Sequence, residues 1–300
     1  MWGGWVKHAD DALLEELVYY TSERQRVFVN RTVRGDDPPW SDDPLLRKYH
    51  FCRNYREADA GTQYALDEIL CHDDPADVLL NIVVYRLIND PDTFHQLRFQ
   101  PVADFDPEWV VERLAYYEQI GETVFSSAYR TPPHKFAGSD SKVENIIYGI
   151  IRDDLLADLD WYVDEVMHAE TMEAAHQALC ELRGFGDFLA YEVITDLNYR
   201  HLPFHENDFV NVGPGAEQGM EFIWGDAKED YVWWLVDHTW ELFDRYDYDF
   251  VPYNGCRFKE PTARTWEHVL CEHRKYHQAM QGTGNLRLYD PYDQQSLGDF

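Results

Sequence analysis

Two glycines one residue apart, Gly184 and Gly186, break a helical pattern in the middle of the stretch 179–219, LCELRGFGDFLAYEVITDLNYRHLPFHENDFVNVGPGAEQG. Ahead of them Ala174, Ala175, Ala178, Leu179 and Leu182 recur at three- and four-residue steps. Behind them Phe188, Leu189, Ala190, Val193, Ile194 and Leu197 do the same. Glycine adopts positive φ at little cost, so Arg183-Gly184-Phe185-Gly186 reads as a tight turn between two packed helices. Amides bare of side chains can also come close to a phosphate. The plainer alternative is an ordinary helical corner with a glycine cap. No sustained strand alternation occurs anywhere. Only 126–130 reads as a short extended piece, so the chain is expected to be all-α.

Three hundred residues, 45% of them apolar and 15% aromatic, can fill one large core or two small ones. We read 1–300 as a single helical domain with two lobes, 1–135 and 136–300, because 131–142, TPPHKFAGSDSK, is the strongest loop signal between them. No apolar run is long enough for a membrane span, and the first residues, MWGGWVKHADD, lack the apolar core of a signal peptide. Cys52, Cys71, Cys180, Cys256 and Cys271 form no CxxC pair, which suits a reducing cytoplasm and signals neither a zinc site nor a disulfide framework. His201 and His205 near Asp208 sit in a proline-containing loop and make a poor metal signal.

The formal charge is −30, from 56 acids against 26 lysines and arginines, of which only seven are lysines. Nucleic-acid binders are usually basic. Either the chain does not bind DNA, or its acid is a solvated coat suited to high salt. The even spread of acids and the scarcity of lysine favour the second. High salt would screen phosphate contacts and leave recognition to stacking, backbone contacts and shape.

Against that background the arginines of 21–64 stand out: 24, 26, 31, 34, 47, 53 and 56, seven of the nineteen in the chain. Thr21 or Ser22 is expected to cap a helix running through Arg31, 35–39 to end it, and Ser41 or Asp42 to cap a second helix with Pro44 in its first turn. A guanidinium is a planar fork that matches phosphate oxygens, so several converging on one pocket would suit a phosphate or pyrophosphate. Alternatively they pair with neighbours such as Glu23, Asp43, Glu57 and Asp59.

Further on, Asp73-Asp74-Pro75, Asn89-Asp90-Pro91 and Asp106-Pro107 announce helix starts. Tyr116, Tyr117 and Phe125 are expected in the core, as are Trp233, Trp234, Trp240 and Phe243, with stacking of one tryptophan on a base as the alternative. His268, Glu272 and Lys275 share a helix face, where a surface ion pair is the plain reading. The tail from 282 is rich in glycine and aspartate and is expected to be loosely held. No GxxxxGK[ST], HExxH or deaminase HxE with PCxxC is present, so neither a P-loop ATP site nor hydrolytic zinc is expected.

Leu182, Gly184, Phe185, Gly186 and Ala190 resemble the helix-hairpin-helix of the DNA glycosylase superfamily, in which an aspartate follows by about twenty residues at the mouth of the base pocket. Asp208 falls in that window. The lysine of bifunctional glycosylases is replaced by Asp187 and Phe188, so imine chemistry is not expected. A longer string, Glu23, Arg24, Arg31, Gly35, Pro39, Trp40, Ser41, Asp43, Pro44, Phe51, Asn54, Arg56, Asp59 and Thr62, resembles the helical domain shared by phage 5-hydroxymethyluracil DNA kinases and the alpha-glutamyl/putrescinyl thymine pyrophosphorylases, or amino acid:DNA transferases. Asn81-Ile82 with Tyr85-Arg86-Leu87, 211–219 and 267–276 resemble later parts of that domain in the same order.

The resemblance implies a DNA glycosylase-like helical fold and a transferase. In that family an amine from an amino acid or polyamine displaces pyrophosphate from 5-pyrophosphoryloxymethyl-uracil in double-stranded DNA, on a base flipped out of the stack. It implies Arg24, Arg31 and Arg56 on the pyrophosphate, Asp208 as base, Asp59 and Asn54 orienting, Trp40 stacking on the uracil and Lys275 near the substrate. Gly184, Phe185 and Gly186, with Gly213 and Gly215 of a second hairpin, would contact the DNA backbone. No cofactor is expected beyond a monovalent cation on hairpin carbonyls. A 5-hydroxymethyluracil DNA kinase is an expected partner, and a virus-encoded protein in the host cytoplasm is the expected setting. The alternatives are a monofunctional DNA glycosylase with Asp208 stabilising the sugar cation, and a non-catalytic DNA-binding helical module.

Overall fold

In a computed structural model the chain is described at residues 8–126, 135–284 and 286–289. Among these residues it is all-α: thirteen α-helices and no strand, with a lone antiparallel bridge between Tyr49 and Leu288. Among these residues the chain divides into two compact units, one built from 8–59 and 209–284 with 286–289, the other from 60–126 and 135–208. The division therefore passes through 59 and 208 rather than between 135 and 136. Much of the expected extended piece at 126–130, the start of the 131–142 loop, the first seven residues and most of the tail lie outside the described residues.

The first unit opens with α1 (Asp11–Phe28), capped by Asp10, whose carboxylate accepts from Ala12 and Leu13 amides. This corrects the expected start at Thr21 or Ser22. Both sit in mid-helix, where Thr21 Oγ1 donates to the Leu17 carbonyl at 2.7 Å and Ser22 Oγ to that of Asp249. The helix widens into a π-helical segment, Val29–Arg34, and stops at Gly35, whose φ of +69° is left-handed. α2 (Pro44–Lys48) is capped by Asp43, not by Ser41 or Asp42. The Asp43 carboxylate accepts from Leu45 and Leu46 amides and also from the Tyr19 and Tyr276 hydroxyls.

The second unit holds α3 (Ala60–Glu68), α4 (Pro75–Ile88), α5 (Pro91–Leu97), α6 (Pro107–Gln119), α7 (Lys142–Ile146), α8 (Leu159–Met167), α9 (Met172–Cys180) and α10 (Asp187–Arg200), with a π-helical segment Ile147–Leu155 after α7. Asp74, Asp90 and Asp106 cap α4, α5 and α6, each followed by a proline at the first helical position. Each such cap is worth about 1 kcal/mol, so part of the acid in this chain is structural. Val78 to Ile88 of α4 and Leu189 to Tyr199 of α10 are buried all round, and the two helices pack together as the centre of the unit. Tyr116, Tyr117 and Phe125 are not core residues as expected: Tyr116 is 51% exposed, the other two are half-buried, and Lys142 Nζ lies 3.7 Å over the Phe125 ring.

The first unit then resumes with α11 (Pro214–Trp224), α12 (Asp230–Tyr246) and α13 (Ala263–Met280). α13 packs on α1, α2, α11 and α12 and is the axis of this unit. Its Trp266 is fully buried and donates its indole N–H to Thr239 Oγ1 of α12 at 2.9 Å. Phe243 is buried as expected, Trp233 and Trp234 are half-buried, and Trp240 is 41% exposed.

The expected second hairpin is absent. Gly213 is the N-cap of α11 and gives its amide to Glu267 Oε1 at 3.2 Å. A Cβ on Gly215 would stand 2.3 Å from Cys271 Sγ, and one on Gly219 2.3 Å from the Leu270 carbonyl oxygen. These two glycines, four apart on one helical face, let α11 and α13 approach backbone to backbone. Gly213 and Gly215 are thus explained within the unit and do not form a phosphate-facing turn.

Candidate active site

The segment 50–59 lies between α1 and α13, and most of the candidate residues of the first unit converge on it. Arg24, on α1, donates from Nε to the Cys52 carbonyl at 2.9 Å and from Nη2 to that of Phe51 at 3.1 Å. Arg53 bonds from Nη1 to the Ala58 carbonyl and lies 5.0 Å over the Phe28 ring. Asp59 accepts the Arg53 amide at 3.1 Å. Burial pushes the Asp59 carboxyl up to about 6, although Arg56, Arg53 and Arg24 pull it down. Burial likewise lowers the pKa of Arg53; Asp59 opposes this, and the like charges of Arg24 and Arg31 add to it. Arg24, Arg53 and Arg56 therefore share one neighbourhood with one buried carboxylate, and Arg31 adds its charge beside Arg53.

α13 closes the other side. Lys275 Nζ is 2.5 Å from Glu272 Oε1, and the Cys52 amide donates to Glu272 Oε2 at 2.9 Å. Burial pushes Glu272 up, but the charges of Lys275 and His268 outweigh it and hold the carboxyl at about 2. The plain reading of an exposed ion pair fails here, since the Glu272 side chain is only 4% exposed. Cys52, Asp59 and His268 bring their ligand atoms within 4.8 Å of one another, a spacing that can hold a metal ion. The crowd of guanidiniums counts against a cation at this point. Tyr20, fully buried, forms an aromatic floor with Phe51 and Tyr276 at ring separations of 5.7 and 5.0 Å.

Beside this cluster, Arg31 projects from the π-helical segment. Its guanidinium lies 5.2 Å over the Trp40 ring and donates to the Tyr289 hydroxyl at 2.7 Å. Trp40 lines two pockets. One, of about 160 Å³, is mainly apolar, with Val27, Pro38, Pro39, Leu46 and Tyr289. The other, of about 430 Å³, holds Glu23, Asp42 and Asp43 against Arg26. Arg26 pairs with Glu23, and Arg47 with Asp42 at 2.8 Å, so for these two arginines the reading as partners of neighbouring acids holds. Asn54 has a structural bond: its Nδ2 donates to the Thr21 carbonyl at 2.7 Å and ties the 50–59 segment to α1.

The remaining candidates belong to the second unit. Gly184 has φ +82°, which a side chain resists, and Gly186 caps α10. A Cβ on Gly186 would meet nothing within 4 Å, so the packing of the unit does not require a glycine there. Phe185 is buried, and its amide donates to the Leu182 carbonyl at 2.8 Å; its side chain belongs to the core, which corrects its expected contact with DNA. Asp208 is exposed, and its Oδ2 accepts the His205 amide at 2.8 Å.

In the sequence Arg53 is one of the clustered arginines with no role of its own, Cys52 is only an unpaired cysteine, and His268 only shares a helix face with Glu272 and Lys275. Only the spacing Cys52, Asp59 and His268 in space, not in sequence, connects them.

A sequence profile described as "5-hmdU DNA kinase, helical domain" matches residues 11–284. The chain is also similar to the 5-hmdU DNA kinase of Bacillus phage SP10, at 28% identity over 278 residues, covering 85% of this chain and 43% of that kinase. It thus spans less than half the length of that relative. No solved structure matches it. Among the described residues no helix is long and apolar enough to cross a membrane.

Proposed function

The chain belongs to the family of the 5-hmdU DNA kinase helical domain, and on that premise we propose that it is a transferase of thymine hypermodification. It replaces the pyrophosphate of 5-pyrophosphoryloxymethyl-uracil in DNA with an amine. The observation that carries this reading is the gathering of Arg24, Arg53 and Arg56 around Asp59, with Arg31 beside Arg53, in a chain whose net charge is −30. So acidic a protein has no general need of such a concentration of positive charge, whereas a departing pyrophosphate does.

In the reaction the amine nitrogen bonds to the exocyclic methylene carbon. The carbon–oxygen bond breaks, and pyrophosphate leaves with the electron pair. Guanidiniums fixed in advance, Arg24 and Arg53 by backbone carbonyls and Arg31 by Trp40 and Tyr289, stabilise that developing charge without reorganising. The attacking nitrogen sheds its proton to a carboxylate. Asp59 fits this task better than Asp208: at about 6 it is ionised near neutral pH and still basic enough to accept a proton. Asp208 is exposed and already holds the His205 amide. The flipped uracil stacks on Trp40 in the smaller pocket, under Arg31. The larger pocket takes the donor: Glu23 is paired with Arg26 and Asp42 with Arg47, and the remaining carboxylate, Asp43, favours a polyamine over an amino acid. Gly184 and Gly186 hold the DNA backbone, and a 5-hydroxymethyluracil DNA kinase supplies the phosphorylated base.

The test is mass spectrometry of nucleosides after incubating the protein with pyrophosphorylated duplex and a panel of amines. An aminomethyl-linked thymine with release of pyrophosphate is expected. Abasic sites in its place would mean a glycosylase, and bound but unaltered DNA a non-catalytic module.

A further inference from the structure

A second group of metal-ligand side chains stands at the glycine turn of the other unit. His176 and Cys180 are one helical turn apart on α9 and share a face, and Asp187 is the first residue of α10. Cys180 Sγ is 3.9 Å from both His176 ring nitrogens and 3.8 Å from Asp187 Oδ1, and the three ligand atoms all lie within 4.8 Å of one another. A tetrahedral zinc with bonds of about 2.0–2.3 Å holds its ligand atoms about 3.3–3.6 Å apart. A contraction of a few tenths of an ångström at the sulfur, with rotation of the exposed Asp187 carboxylate, therefore closes the site.

The surroundings are arranged as around a metal ligand. His176 Nε2 donates to the Asp187 backbone carbonyl at 2.9 Å, which fixes the ring and leaves the lone pair on Nδ1. His176 is buried, Cys180 half-buried and Asp187 exposed, so the cluster has a dry side and an entrance.

We propose that His176, Cys180 and Asp187 bind a transition-metal ion, zinc by the chemistry of the donors, that staples α9 to α10 across the Gly184–Gly186 turn. Thiolate with imidazole selects zinc over magnesium or calcium, which take oxygen ligands. Three protein ligands leave a fourth position for water. None of these residues takes part in the pyrophosphate chemistry proposed above. The absence of a CxxC pair hid the set in the sequence, because its third member follows the turn.

The experiment uses the full chain, stripped with a chelator and titrated with Co²⁺ and then Zn²⁺. The expected result is one equivalent of cobalt with a thiolate-to-cobalt charge-transfer band, displaced by zinc, and a higher Tm with metal. Cys180→Ser should lose the band and Asp187→Asn should weaken binding by about 10-fold or more, with the circular dichroism of both metal-free variants unchanged. Cys52→Ser should keep the band. No cobalt band, a band that survives Cys180→Ser, or one that vanishes with Cys52→Ser would overturn the assignment. If Cys180→Ser does not fold, unchanged affinity in Asp187→Asn, at an exposed position, overturns it equally.

Discussion

Arg86 and Asp196 meet as a two-pronged ion pair inside the second unit: Arg86 Nη2 lies 2.7 Å from Asp196 Oδ1 and Nε bonds to Oδ2, with 3% and 0% of the side chains exposed. The guanidinium also donates to Asn89 Oδ1 at 2.9 Å. The pair joins α4 to α10, the two helices buried along most of their length. Removing one partner strands the other charge away from water, so Arg86→Ala should cost about 3–5 kcal/mol in urea denaturation. Arg86→Met with Asp196→Leu should recover most of that. A single-variant loss under about 1 kcal/mol would mean that water reaches the pair.

Gly219 and Gly186 should answer a methyl group in opposite ways. At Gly219 the new Cβ meets the Leu270 carbonyl at 2.3 Å, and backbone cannot swing aside as a side chain can. Gly219→Ala should lose about 1–3 kcal/mol through overpacking of α11 on α13. Gly186 has ordinary extended dihedrals and open space around it. Gly186→Ala should leave stability within about 0.5 kcal/mol of wild type while weakening duplex binding, read by fluorescence anisotropy. Unchanged binding would remove this glycine from the DNA interface.

The parts of the fold that were legible in the sequence are those set by local chemistry. Asp74, Asp90 and Asp106 ahead of prolines announced three helices, and Gly35 announced the end of another. What local signals missed depends on contacts far apart in the chain. Thr21 and Ser22 read as caps, but Ser22 is held in mid-helix by the carbonyl of Asp249, 227 residues away. Gly213 and Gly215 read as a phosphate-facing turn because the sequence does not show α13 lying against them. The arginine cluster was visible as composition. Its centre on Asp59 was not, and neither were the internal bonds of Asn54 and Phe185, because pairing in space decides which polar group is occupied.

Asp59 links stability and turnover to pH. Its folded value of about 6 lies above the ordinary carboxyl value of about 3.9. The folded state therefore binds the proton more tightly, and the contribution of this group is fully present below about pH 4 and lost as pH rises through about 6. The shift corresponds to roughly 3 kcal/mol. The stability of wild type relative to Asp59→Asn should fall by up to that amount between about pH 4 and 7, measured by denaturant titration at each pH. Turnover should move the other way, rising through about pH 6 as the base ionises. Asp59→Asn should lower kcat about 100-fold or more with a smaller change in KM for DNA. A flat stability difference together with an unchanged pH–rate profile would show that Asp59 neither titrates there nor takes the proton.

The larger pocket predicts which amine is taken. With Glu23 paired to Arg26 and Asp42 to Arg47, Asp43 repels a donor carboxylate and attracts a second ammonium. Putrescine should therefore give a lower KM than glutamate at equal ionic strength. Glu23→Gln keeps a side-chain acceptor for the Ser41 hydroxyl, which lies 2.8 Å away, and removes one charge. It should raise the KM for putrescine about 10-fold, in line with about 1.5 kcal/mol for a hydrogen bond to a charged group. Equal KM values for the two amines would place the donor elsewhere.

Arg31 separates catalysis from DNA binding. Its guanidinium is held over Trp40 and against the Tyr289 hydroxyl, beside the pocket assigned to the base. If it meets the pyrophosphate as charge develops, Arg31→Ala should lower kcat about 100- to 1,000-fold, the loss that follows removal of one preorganised donor. Duplex affinity should change little, because one phosphate contact among several is a small share of binding. Arg31→Lys tests the fork itself: it keeps the charge but loses both the planar stacking on Trp40 and the two-pronged geometry, so it should recover only part of the rate. Pyrophosphate release and anisotropy on the same duplex read the two effects apart. If both fall together in Arg31→Ala, the residue positions the DNA, and the leaving group must be met by Arg24, Arg53 and Arg56 alone.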